Sequence, residues 1–427
     1  MIRSMDATDH ASSRRAEFLS TRSLPVLLGI VILALALLTL RVLLWRVGNS
    51  NFDMATAYLV WQQYLIEHGR WHALRQPIGM YFPAYYELTT VTSYLDGHLD
   101  RFAQIKIISF CFDIFAAGVA YMLVGRITRR DRRQGPSAAQ LAAPFTILAG
   151  PTVILNGAVW GQCEIVFTSF LLLSAWAVIA EMGALAALFF GFALAFKLQA
   201  VFLAPFIFAM VLARRIRWQH LLLVPVGWVV ALIAPILNGA RIADYLLQPG
   251  SQAGAFPVLA IDIGNPWALA QWLGLSERVG LPIGLVITVA LFFALGLWGS
   301  KAAFRGATNT LALAAFSAQT MPYFMPKMGD RYFFTGEIFL CVLSCVDLAF
   351  ALPAGLVIGA SLLTYGEYFV PFGRHFVLFV SLLANTAALW LVFQRIMFRV
   401  RHAKPAEELT EDLSLTDTEQ SGARAFP

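Results

Sequence analysis

The chain has 427 residues, of which 59% are hydrophobic and 13% charged, with a net charge of +6 and a mean hydropathy of +0.69. That leaves too little polar surface to cover a water-soluble globule, so the composition assigns an integral membrane protein. The positive balance does not point to nucleic acid, because the basic residues lie in short loops between apolar runs, where membrane orientation accounts for them.

In chain order, a polar arm over residues 1–23 carries Arg3, Arg14, Arg15 and Arg22 and leads into a first apolar run at 24–45. The run ends in "RVLLWRVG" without a small-residue cleavage motif, so it reads as a retained helix rather than a signal peptide. Residues 46–102 form a long first outside loop whose stretches "MATAYLVWQQYLIEHGRW" and "IGMYFPAYYELTTVTSYL" suit helices lying along the membrane surface. Further spans are expected near 103–125, 141–157, 163–180, 183–197, 199–213, 219–237, 281–299, 309–325, 333–350, 352–366 and 375–397, for about 12 crossings (10 to 13) in all. Those at 141–157 and 183–197 are short and compatible with broken or re-entrant helices. A second outside loop, 238–280, is rich in Gly, Pro and Trp, and the acidic tail, 398–427, reads as disordered and cytoplasmic.

The expected fold class is therefore all-α, a polytopic helical bundle with its membrane domain over 24–397; a barrel is excluded by the lack of two-residue alternation. An even number of crossings puts both termini on one side. If that side is cytoplasmic, 19 of the 31 Lys and Arg lie inside, mostly in very short loops, as the positive-inside rule requires. No P-loop or Gly-rich dinucleotide turn occurs.

The ionisable residues beside the spans carry the functional reading. Asp53, in "GNSNFDMATAY", stands at the outer mouth of the first helix. Ser50-Asn51-Phe52-Asp53 fits a helix start, and an acid in a first turn is favoured by about 0.3–1 kcal/mol, so a capping role competes with a catalytic one. Glu164 follows "WGQC", Lys197 ends a span, and Lys327, Asp330 and Arg331 cluster in one outside turn. Each alone fits an interfacial ion pair, whereas the set points to a polar cavity opening outward. His68 and His72 share i, i+4 spacing but lack an acid in a metal motif, and no metal or cofactor is expected. Asp113 reads as a buried acid paired with a neighbouring helix, the four cysteines as core residues, and Tyr85-Tyr86 and Trp267/Trp272 as interface anchors.

"AYLVWQQYL", "MYFPAYYELTTVTSYL", "KIISFCFDIFAAGVAYML", "NGAVWGQCEIVFTSFLLLS", "AFKLQAVFLAPF" and "MPKMGDRYFFTGEIFL", in this order over residues 46 to about 345, resemble the polytopic glycosyltransferases of the GT-C fold. The branch with dolichyl-phosphate-glucose-dependent glucosyltransferases and their bacterial mannosyltransferase-like relatives is the most similar. The resemblance implies a lipid-linked sugar donor, transfer on the outer face, and Asp53 as catalytic base. Two departures stand out: "YFPAY" from Tyr81 where relatives have "YPPL", and Gly329-Asp330 where they have a His-Glu pair before Arg-Tyr.

Chemistry leads to the same reaction. No nucleotide sugars are supplied outside the cytoplasm, so an enzyme there needs a donor delivered through the bilayer, as a polyprenyl phosphate sugar is. Lys327 and Arg331 suit the leaving phosphate, with Trp160, Gln162, Glu164, Lys197 and Asp330 as cavity residues. One base and direct displacement would invert the anomeric centre. The expected partners are that donor, a lipid, glycan or protein acceptor and membrane lipid; a bacterial inner membrane is expected over the endoplasmic reticulum. A secondary transporter or a flippase for lipid-linked sugars is the rival reading.

Overall fold

The computed structural model describes residues 6–128, 135–248, 257–301, 304 and 306–402, with side chains from residue 25 onward. Basic residues 129, 130, 132, 133 and 305 and the tail from 403, some of them among the 19 counted as inside, lie outside them.

Nearly every element is a helix. Among the described residues seven are long and apolar enough to cross a membrane: Pro25–Leu44, Arg101–Thr128, Ala138–Trp160, Trp218–Leu237, Glu277–Gly299, Leu348–Phe369 and Arg374–Arg401. The other expected spans also fall on helices, but shorter or more polar ones. Glu164–Ile179, Gly183–Phe196, Leu198–Leu212 and Phe334–Val346 have 10–17 residues. At 1.5 Å per residue a 16-residue helix is about 24 Å long, short of about 30 Å of hydrocarbon. Glu164–Ile179 is almost wholly buried inside the bundle, as is Ala307–Phe324 with its polar Thr310, Ser317, Gln319 and Thr320. Of the about twelve crossings expected, seven are met among the described residues by helices that satisfy the requirement of length and composition. The first helix extends back to Asp6, well before its apolar stretch, and the last runs to Arg401, so residues 398–401 are helical rather than part of a tail.

The core forms where Arg101–Thr128 packs on Ala138–Leu148 and Glu164–Ile179, and where Phe334–Val346 packs on Ala307–Phe324. The first outside loop is helical as expected, over Leu59–Glu67 and Pro83–Ser93. It does not merely lie on a surface: Tyr58, Trp61, Tyr81, Tyr85 and Tyr86 are buried and join the main core. Tyr85 and Tyr86 are therefore packing residues and not interface anchors. Trp267 is likewise buried, while Trp272 is exposed and stacked on His375. Of the cysteines, Cys163 and Cys341 are buried, but Cys111 faces outward from its helix.

Two polar ends result. One gathers Asp53, Trp160–Glu164, Lys197, Asp330–Arg331 and Tyr368. The other gathers Arg215 with Glu181 and Thr310, and Asp347 with Arg395 and Arg399. A two-residue parallel pairing, Ala260–Ile261 with Met328–Gly329, ties the segment after Trp218–Leu237 to the turn that carries Asp330 and Arg331.

Candidate active site

The stretch after the first helix is anchored before it reaches Asp53. Lys106 Nζ donates to Trp45 O and Val47 O at 2.9 Å and to Asn49 Oδ1 at 2.7 Å, satisfying carbonyls freed where that helix ends. Asn51 then serves as the helix cap: its Oδ1 accepts from Met54 N at 2.8 Å, and its Nδ2 donates to Gly48 O and Trp160 O. Asp53 makes no side-chain cap bond. The capping role that competed for Asp53 belongs to Asn51, and the Asp53 carboxylate is turned elsewhere.

A second strand of the site comes from a broken helix. Ala138–Leu148 stops at Ala149-Gly150, Pro151 restarts the chain, and Ile154–Trp160 is π-helical. Arg41, fully buried, donates to Ile147 O and Leu148 O at the break and pairs with Asp113 at 2.9 Å, the partner expected for that acid. Gly161 ends the π segment at φ +83, and a Cβ there would lie 2.4 Å from Met54 Cε. Only glycine permits both that backbone and that approach. Met54–Tyr58, directly after Asp53, is π-helical too, so two such segments meet at the site. π-helical turns are uncommon and recur at functional sites.

The result is three donors on one oxygen. Trp160 Nε1 at 3.0 Å, Gln162 Nε2 at 2.7 Å and an Arg331 terminal nitrogen at 2.6 Å all reach Asp53 Oδ2. Among the described residues none donates to Oδ1. The Asp53 amide N–H donates to Tyr368 Oη at 3.1 Å, and the Tyr368 ring stacks on Trp160 at 4.2 Å.

Arg331 is the hub. Its Nε lies 3.5 Å from Asp330 and 3.7 Å from Glu164, and its guanidinium sits 4.7 Å from the Trp160 ring centroid. Burial opposes its charge, but Asp330, Glu164 and Asp53 more than offset this and hold it well above its ordinary range. Glu164 in turn pairs with Lys197 at 2.5 Å, and Lys197 lies over the Tyr81 ring at 4.5 Å. Burial pushes Asp330 up to about 6, with Arg331 opposing. The three acids differ in access: the side chain of Glu164 is 3% exposed, that of Asp330 10% and that of Asp53 26%. Asp53 is the most exposed of the three, and its Oδ1 receives no donor among the described residues.

The structure thus joins Asp53, Trp160, Gln162, Glu164, Lys197, Asp330 and Arg331 in one network and sets Lys327 apart. Lys327 pairs with Glu277 at 2.5 Å, on the neighbouring helix start. His68 lies on Tyr64, and His72 contacts Arg75. Among the described residues no three of His, Cys, Asp and Glu are grouped as metal ligands. Sequence reasoning missed Tyr58, Tyr81 and Tyr368. Tyr58 had a signal, because it follows Asp53 by five residues, one turn of the π-helical ladder that forms there.

The family model for glycosyltransferase family 87 matches residues 90–326, more than half of the chain. The match takes in Trp160, Gln162, Glu164 and Lys197, while Asp53 lies before it and Lys327, Asp330 and Arg331 after it. No curated protein matches the chain.

Proposed function

The chain belongs to glycosyltransferase family 87, and from that premise we propose that it moves a hexose, mannose or glucose, from a polyprenyl-phosphate-linked donor to an acceptor hydroxyl on the outer face of a bacterial inner membrane. Asp53 is the base in this reading. The acceptor oxygen attacks the anomeric carbon while its proton passes to Asp53 Oδ1; the bond from that carbon to the phosphate oxygen breaks, and its electron pair leaves with the polyprenyl phosphate. One displacement inverts the centre. Arg331, which reaches Asp53 through one terminal nitrogen, is the cation assigned to the developing phosphate charge; Lys327, on the same turn but paired with Glu277, is the second.

The observation that carries the reading is the asymmetry of the Asp53 carboxylate, with three donors on Oδ2 and, among the described residues, none on Oδ1 of this partly exposed side chain. A transporter would favour polar sites near the midplane; here the connected ionisable set lies at one end, beside the helix breaks. The test is to incubate the purified protein with a panel of polyprenyl phosphate hexoses and an acceptor-containing membrane extract. Free polyprenyl phosphate and a glycosylated product should appear with at least one donor. Equal counts of sugar lost and sugar transported into vesicles, without product, would support the transporter and refute the enzyme.

A further inference from the structure

Two buried tyrosines stand behind the carboxylate, and the chemistry of their partners fixes the direction of every hydrogen bond between them. Asp53 Oδ2 only accepts, so Gln162 must present its Nε2 to it, at 2.7 Å. The amide oxygen then faces Tyr58 Oη at 2.5 Å, and because a carbonyl oxygen also only accepts, Tyr58 spends its single hydroxyl hydrogen there. Tyr58 can consequently only accept from Tyr81 Oη, 2.7 Å away. Tyr81 donates to it, with a longer 3.4 Å contact to the same amide oxygen.

Both ends of this chain are held. The Tyr58 ring packs edge-on against Trp61, Tyr81 and Tyr85. Tyr81 donates its backbone N–H to Tyr86 Oη, its carbonyl accepts from Gln248, and its ring face carries Lys197. Burial raises both hydroxyls well above the ordinary tyrosine range, with Lys197 opposing at Tyr81, so each keeps its hydrogen at any working pH.

Resting on the assignment of Asp53 as base, we propose that Tyr58 and Tyr81 are positioning residues that act through Gln162: the one-way chain from Tyr81 to Tyr58 to Gln162 locks the amide nitrogen toward Asp53 Oδ2 and keeps Oδ1 aimed at the acceptor. Without the tyrosine hydroxyls only the carboxylate still orients the amide: its oxygen loses its donor, the side chain is held at one end alone, and its bond to Oδ2 loosens.

The test is a double-mutant cycle in the full-length purified protein, with whichever polyprenyl phosphate hexose of the panel the wild type uses. Tyr58→Phe should lower kcat about 3- to 10-fold and Gln162→Leu about 10- to 100-fold, the ranges of a neutral and a charge-assisted hydrogen bond. KM for the donor and thermal stability should stay near wild type in Tyr58→Phe. On the Gln162→Leu background, Tyr58→Phe should cost nothing further, because the chain is already cut. Unchanged kcat in Tyr58→Phe, or additive losses in the double variant, would each overturn the proposal. If Tyr58→Phe folds poorly, Tyr81→Phe takes its place in the same cycle, with the same expectation of no added loss. Wild type and Asp53→Asn run alongside: a silent wild type or a fully active Asp53→Asn variant refutes the base assignment itself, and the positioning chain falls with it.

Discussion

Asp53→Asn separates the base from every structural role of the residue. Trp160, Gln162 and Arg331 all present N–H groups to the position of Oδ2, so an asparagine there must place its oxygen among them. Its NH2 group then takes the position of Oδ1. The acceptor hydroxyl would meet a donor where it needs a base, with the surrounding geometry kept. General-base catalysis typically supplies about 100- to 10,000-fold, and this swap should forfeit the upper end of that range. The cost to folding is small by comparison. Two charge-assisted bonds become neutral and the third keeps only the charge of its Arg331 donor, a loss of about 1 kcal/mol each before discounting for exposure, or about 1–2 kcal/mol net. Arg331 keeps Asp330 and Glu164 as counter-charges. The assay is multiple-turnover release of polyprenyl phosphate, paired with donor binding on the same preparation. Turnover by Asp53→Asn within tenfold of wild type would refute the reasoning. So would a parallel loss of donor affinity, which would make the carboxylate a binding group.

Four further outcomes follow from the same geometry. Lys197→Met strands the buried Glu164 carboxylate 3.7 Å from its one remaining cation and should destabilise the protein by about 3 kcal/mol; Lys197→Met with Glu164→Gln should recover most of it, and a single variant melting within a degree of wild type would contradict the pairing. Asp330, pushed up to about 6 by burial, binds its proton more tightly in the folded than in the unfolded state, so its ionisation costs stability as pH rises from about 4 through 6; Asp330→Asn should match wild type in melting temperature near pH 4 and exceed it at pH 7.5, by up to about 2–3 kcal/mol, and no such divergence would remove the assignment. Arg331→Lys keeps the charge but loses the planar fork and should raise the donor KM at least about tenfold, whereas Lys327→Ala should change it less than about threefold; the reverse ranking would move the phosphate to Lys327. In a cysteine-free background, Leu273→Cys, on an exposed turn of the second outside loop, should react with an impermeant thiol reagent applied from outside and Met182→Cys should not; the opposite pattern would invert the topology.

The helical class and the positions of the helices were legible because a span needs a long apolar run, and the sequence has those runs. Legibility ended where burial in protein replaces burial in lipid. Glu164–Ile179 is as apolar as a membrane span but shorter than the hydrocarbon is thick and buried in the bundle, and hydropathy alone cannot separate the two environments. The same ambiguity hid the first outside loop. Tyr81, Tyr85 and Tyr86 look like interface aromatics in composition, and only their packing against Tyr58 and Trp61 reveals a core. At the site, charge was a good guide, since an ionisable residue beside an apolar run needs a partner or a cavity. Charge could not choose between partners, and so could not see that Lys327 turns to Glu277 while Arg331 turns to Asp53. Neutral polar residues such as Tyr58 and Tyr368 carry no such signal, because a tyrosine in an apolar stretch is equally at home with its hydroxyl in water.

The location of the network follows from what a helix end supplies. Inside a helix every backbone group is satisfied and side chains project only sideways, so several of them cannot converge on one carboxylate oxygen from different directions. At a break the backbone turns and side chains can point along the bundle axis. Trp160 and Gln162 flank such a break, at a glycine with positive φ; Lys197 is an extended residue between two helices; Arg331 precedes a helix start; Asp53 opens one. Breaks inside a bundle expose carbonyls that need donors, and Arg41 and Lys106 meet that need from neighbouring helices. Their charges are matched differently. Arg41 is neutralised by Asp113, deep in the bundle, whereas Lys106 donates to oxygen atoms of the loop that leads to Asp53. Such pairs add little net stability, since desolvation consumes most of the attraction, but removing one partner is costly, so they fix one arrangement against the alternatives. The supports of the two breaks therefore set the position of the Asp53 carboxylate, although neither Arg41 nor Lys106 touches it.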